Sequence, residues 1–126
     1  MIKRMRVPAA QDAIFLNQEA DAWFERNAAT ATIPASPDDP VLKALRQVEL
    51  PSKGVLLDVG GAAGRLAAGF QRDYPEWTCH VIEPSAKAIA AGKDAFPQLQ
   101  FHQGSITQPE GFSVTEADLI IVAGVL

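Results

Sequence analysis

Residues 55–65, VLLDVGGAAGR, restrict the fold of this chain more than any other stretch. A short apolar run carries Asp58 near its end and passes at once into Gly60, Gly61 and Gly64. Leu66, Phe70 and Tyr74 then recur at helical spacing, so the segment reads as strand, glycine turn, helix, with the strand over 54–59 and the helix over 62–74. Glycine admits positive φ and leaves no Cβ in the path of a close neighbour. A helix that starts just beyond such a turn presents unpaired N–H groups.

The same rhythm continues to the end. TCHVIE (78–83) reads as a strand, SAKAIAAGKDAF (85–96) as a helix with Ser85 as its N-cap, and LQFHQG (99–104) as a strand with Leu99 and Phe101 on one side. ADLIIVAGVL (117–126) is a strand of almost unbroken apolar character. Strands alternating with helices imply an α/β, Rossmann-like fold: a parallel sheet with flanking helices and right-handed connections.

Before this unit, residues 17–27 read as a helix, with Ala20, Trp23, Phe24 and Asn27 on one face. Residues 29–40 hold three prolines and read as a loop or linker. A second helix over 41–50 should turn Val41, Leu42, Leu45, Val48 and Leu50 inward, with Pro40 in its first turn and Asp38 and Asp39 at its positive end. The division expected is a helical lead-in and linker over 1–40 and a partial ligand-binding domain over 41–126.

The totals exclude several classes of function. A chain of 126 residues is one domain at most, and a net charge of −4 leaves no electrostatic footprint for nucleic acid. No apolar stretch reaches the roughly 20 residues of a membrane helix, and the N-terminus lacks the apolar core of a secretory signal. Cys79 is the only cysteine, which fits a reducing compartment, and a cytoplasmic location is expected. His80 and His102 are the only histidines, without metal-ligand spacing, so no metal is expected. They are also the only obvious general-base candidates, and catalytic residues stay unassigned.

Asp58 decides between ligands. A carboxylate at the strand end opposes a pyrophosphate in a partly desolvated cleft. The dinucleotide pattern G-x-G-x-x-G fails as well, since counting from Gly60 it meets Ala62 and Arg65. A nucleoside with cationic ends suits Asp58, and S-adenosyl-L-methionine has an ammonium and a sulfonium and no phosphate. Glu83, at the end of the next strand, can accept both ribose hydroxyls. An NAD(P)-binding Rossmann domain and a non-catalytic assembly module are the alternatives.

With these residues in view, the chain resembles the N-terminal, cofactor-binding half of the class I S-adenosylmethionine-dependent methyltransferases. VLLDVGGAAGR is similar to their Asp/Glu-x-Gly-x-Gly-x-Gly motif, with Asp58, Gly60 and Gly64 in register and Ala62 in place of the middle glycine. The resemblance implies that Asp58 holds the methionine moiety and that Gly60, Gly61 and Gly64 permit close approach. Glu83, followed by Pro84, would clamp the ribose, while Ser105 and Ile106 would border the adenine. It implies the strand order 3-2-1-4, a small-molecule or sugar-type methyl acceptor, and a truncated domain that can be inactive in isolation. Strand 4 would then be an edge although its sequence lacks the charges or proline that guard edges. A homo-oligomer through that edge, Asp118 to Val125, is expected on this ground.

Overall fold

The computed structural model describes residues 9–105, 114 and 116–123, with side-chain placement from residue 18 onward. Its elements in chain order are α1 (Ala9–Arg26), a 3-10 turn (Ala28–Thr30), α2 (Pro40–Leu45), β1 (Val55–Val59), α3 (Arg65–Asp73), β2 (Thr78–Glu83), α4 (Ala86–Ala95), β3 (Gln100–Gln103) and β4 (Leu119–Val122). The strands form one parallel sheet in the expected order β3-β2-β1-β4.

Register sorts the side chains onto two faces. Asp58 stands beside Val81 and Ile121, whereas Leu57 stands beside His80 and Ile120. The Asp58 face carries Leu56, Cys79, Val81 and Ile121 and packs on Leu42 of α2 and on Ala67 and Phe70 of α3. Trp77 closes this core edge-on to Phe70, with ring centroids 5.2 Å apart, and its indole N–H donates to Pro51 O at 2.9 Å. The other face holds Leu57, Val59 and Ile82, against which Val114 and Ala117 pack.

Several expectations shift for identifiable reasons. The helix after β1 starts at Arg65 rather than residue 62, because Ala62 (φ 51°) and Gly64 (φ 91°) both take left-handed conformations that no α-helix accommodates. α2 stops at Leu45, five residues short of the expected end at residue 50, with Arg46 as C-cap and its guanidinium on Asp73 at 3.3 Å. Val48 therefore leaves the helical register and is exposed, while Leu50 still reaches the core. The start of α2 matches the sequence reading: Asp39 is the cap, its carboxylate accepting from Val41 N and Leu42 N, and Pro40 occupies the first turn. Ser85 caps α4 as expected, its hydroxyl accepting from Ala88 N at 3.0 Å.

The first helix is longer than the sequence signalled, and only part of its expected inner face is buried. α1 packs against α4. Phe24 is buried beside Ala31, Ala63 and Ala88, but Trp23, expected on the same face, is 49% exposed. β4 pairs with β1 alone among the described residues. Of its apolar run only Ile121 is buried, while Ile120 and Val122 are 56% and 54% exposed on the face shared with Leu57 and Val59.

Candidate functional site

Parallel strands bring the ends of β1, β2 and β3 to one edge of the sheet, and the glycine turn leaves from the middle of it. Gly60, at φ 71°, hands its N–H to Ile82 O at 2.8 Å, which ties the turn to β2. Gly61 is glycine for a different reason. A Cβ there would stand 2.6 Å from Asp58 Oδ2 and 2.7 Å from Val81 Cγ1, so the missing side chain is the seat of the Asp58 carboxyl. At Gly64 a Cβ would meet Leu99 Cδ1 at 2.7 Å on top of the left-handed backbone. Ala62 adopts φ 51° without being glycine, and its N–H donates to Glu83 Oε1 at 3.0 Å.

Asp58 is 1% exposed, and its Oδ2 has no hydrogen-bond partner. Burial, and secondly the charge of Glu83, push its pKa from the ordinary 3.8 up to about 7. An unpaired buried carboxyl is costly unless something compensates it. Asp58 lines a cleft of about 320 Å³ with the glycine turn, Arg65 and Trp23 on its walls. The orphan oxygen and the space beside it fit a ligand that brings a positive charge.

Glu83, 7% exposed, bridges two elements: Oε1 takes the Ala62 N–H, and Oε2 takes the Ser85 N–H at 2.7 Å. Burial raises its pKa most strongly; the two backbone donors pull it down and the Asp21 charge adds to the rise. Pro84 follows, its carbonyl accepting from Gln103 Nε2 at 3.4 Å. Ser105 lies two residues beyond β3 on the same sheet edge. Ile106 falls outside the described residues.

Asp21 was not singled out from the sequence. From α1 its carboxylate accepts from the Ser85 hydroxyl and from Lys87 N, and the neighbouring Lys87–Glu25 pair joins the same two helices. No local pattern marks it, since its partners lie more than 60 residues away. Arg65 and Trp23 also join the cleft only through tertiary packing.

The histidines go elsewhere. His80 Nδ1 and His102 Nε2 lie 2.9 Å apart across β2 and β3, on the sheet face opposite Asp58. Burial lowers both pKa values, and at His80 the His102 charge adds to it. Neither lines the cleft. Cys79 is a buried free thiol, pushed up to about 12 by burial and by Asp58, and so stays protonated and unreactive at neutral pH.

The family model for the O-methyltransferase domain matches residues 36–126. No curated protein matches the chain. Human N-acetylserotonin methyltransferase, solved with SAM, aligns at 22% identity and a TM-score of 0.52, over 93% of this chain and 30% of its own. Coclaurine N-methyltransferase, solved with N-methylheliamine and SAH, aligns at 13% identity and a TM-score of 0.52, over 93% of this chain and 43% of its own. At these identities the likeness is one of fold, and the chain spans less than half the length of either protein.

Proposed function

We propose, from the premise that this chain belongs to the O-methyltransferase domain family, that it holds S-adenosyl-L-methionine for methyl transfer to a hydroxyl of a small-molecule or sugar-type acceptor. The observation that carries the reading is Asp58 Oδ2, an acceptor without a partner in a cleft beside a glycine turn. The cofactor residues assigned are Asp58, Gly60, Gly61, Gly64, Glu83, Pro84, Ser105 and Ile106. A pyrophosphate ligand is disfavoured by the same carboxyl, which would face it in a site largely cleared of water.

The roles follow from the groups present. Asp58 attracts the cationic methionine end and gains its missing partner. Glu83 keeps lone pairs beyond the two that its backbone donors occupy, and these accept ribose hydroxyls. Trp23, half exposed, lines the same cleft. When bound, the cofactor would supply an electrophilic methyl on a sulfonium for an in-line displacement, with Asp58, the glycine turn and Glu83 as the residues that would hold it. Holding the reacting groups in line is the main contribution the protein makes to such a displacement. His80 and His102, paired on the other face, have no part in it.

Calorimetric titration with S-adenosylhomocysteine tests the reading, with fluorescence as a second readout. Trp23 is exposed at the cleft and Trp77 is buried, so binding should change Trp23 emission and Trp23→Phe should remove that change. Absence of heat and of any fluorescence response would remove the cofactor from this chain. A second copy is the partner we assign to the β4 edge, where Ile120 and Val122 stand exposed. Light scattering should then report a dimer that Ile120→Lys dissociates; a wild-type monomer at high concentration rejects this assembly.

A further inference from the structure

The chain has two histidines, and the fold brings them together on the sheet face away from the cleft. They are 22 residues apart, so no ligand spacing shows in the sequence, and strand register supplies it instead. His80 stands beside Gln100 and Ile82 beside His102, which places the two imidazoles diagonally across the β2–β3 pair. His80 Nδ1 and His102 Nε2 are 2.9 Å apart, with ring centroids 5.1 Å apart and ring planes at 29°. Two imidazole nitrogens that share one ion at about 2.0–2.1 Å stand about 2.9 Å apart at a right angle and about 3.4 Å apart in a tetrahedron. The observed separation lies at the near end of that range, so small rotations of the two rings turn both lone pairs onto one ion.

We infer that His80 and His102 together bind a divalent transition metal of the zinc, nickel and copper class, which links the outer strand β3 to β2. The inference is independent of the cofactor reading and does not use the cleft. Both rings are half-buried, and burial lowers their pKa values, so both stand neutral at pH 7, the form that offers a lone pair to a metal. Their neighbours on this face of the strands, Leu57, Ile82 and Gln100, carry no charge, so none of them repels a cation. Imidazole suits zinc, nickel and copper, whereas magnesium prefers oxygen ligands. Cys79 lies on the other face of the sheet, in the core beneath α3, and is not a third ligand. Among the described residues no three His, Cys, Asp or Glu side chains gather at one point, so water completes the coordination and the ion is an exchangeable one.

Calorimetric titration of the whole chain with zinc, nickel and magnesium chlorides tests it. The wild type should take up one zinc or nickel ion and no magnesium. His80→Gln and His102→Gln, which keep a hydrogen-bonding amide, should each weaken zinc and nickel by about tenfold or more, because either change removes the gain from a second tethered ligand. Zinc should also raise the melting temperature of the wild type and leave that of the double variant unmoved. A measurement on the wild type alone guards against variants that fail to fold. The chain has only two histidine Cε1–H proton resonances, and substoichiometric nickel should broaden both together. Broadening of one alone, or a loss of affinity in only one variant, would show a single imidazole acting by itself and overturn the shared site. Zinc and nickel uptake equal in the wild type and the double variant would place the ion elsewhere and overturn it as well. No uptake by the wild type would leave His80 and His102 a hydrogen-bonded pair only.

Discussion

Asp58→Asn is expected to make the chain about 4 kcal/mol more stable than wild type at pH 8 and to change little at pH 3. The sign follows from where the proton sits. In the unfolded chain Asp58 ionises near its ordinary 3.8, whereas in the folded chain burial and Glu83 hold it protonated up to about 7. Below pH 3.8 both states carry the proton, and the group costs the fold nothing through its charge. Between those values only the unfolded state ionises, so stability drains away as the pH rises. Above about 7 the folded state carries a buried charge, and the loss is complete. Asparagine has the shape of the protonated acid and no charge to bury, so the variant escapes the loss. Urea unfolding of both proteins at pH 3, 5 and 8 measures it. Taking the difference between variant and wild type removes the opposite contribution of His80 and His102, whose lowered pKa values add stability as the pH rises. A constant difference at all three pH values would show that Asp58 does not titrate as described. The same substitution should weaken S-adenosylhomocysteine binding, because it deletes the anion that the ligand ammonium meets. Opposite signs for stability and binding mark a residue retained for its ligand, at a cost to the fold.

What the sequence made legible is what neighbours along the chain decide. The four strands, Ser85 as N-cap and Pro40 at the start of α2 follow from periodicity and capping chemistry, whereas the order 3-2-1-4 followed from the family resemblance. The glycine turn was visible as well, though its extent was not. Nothing local shows that Ala62 takes a positive φ, and that backbone delays the helix to Arg65. Trp23 and Phe24 are adjacent in a helix and equally apolar, so only the position of α4 decides which of them is buried. Asp21 meets Ser85, and His80 meets His102, because strands and helices distant in sequence come into register. Residue identities suggested what each group can do; the packing decided which groups do it together.

Glu83→Ala is the substitution in which these levels meet, and it should cost about 2–4 kcal/mol of stability with a further 1.5–3 kcal/mol of S-adenosylhomocysteine affinity. Both carboxylate oxygens are committed to backbone N–H groups, one at Ala62 and one at Ser85. Alanine leaves both donors without their acceptor, and each such loss costs about 1–3 kcal/mol when buried. It also frees Ala62 from the bond that accompanies its left-handed conformation, so the turn loses its tie to the start of α4. One term runs the other way. Glu83 raises the pKa of Asp58, so its removal relieves a repulsion that the wild type carries at pH 8. In an Asp58→Asn background there is no such repulsion to relieve, and the stability loss from Glu83→Ala should be larger there than in the wild type. Unfolding of the two single variants and the double variant gives that coupling directly. Additive losses would mean the two carboxyls do not sense each other. The binding role separates from the structural one by using an analogue of S-adenosylhomocysteine that lacks the ribose hydroxyls. Removing the hydroxyls should weaken binding to the wild type and make no further difference to the alanine variant. An equal penalty in both proteins would confine Glu83 to bracing the turn and take the ribose away from it.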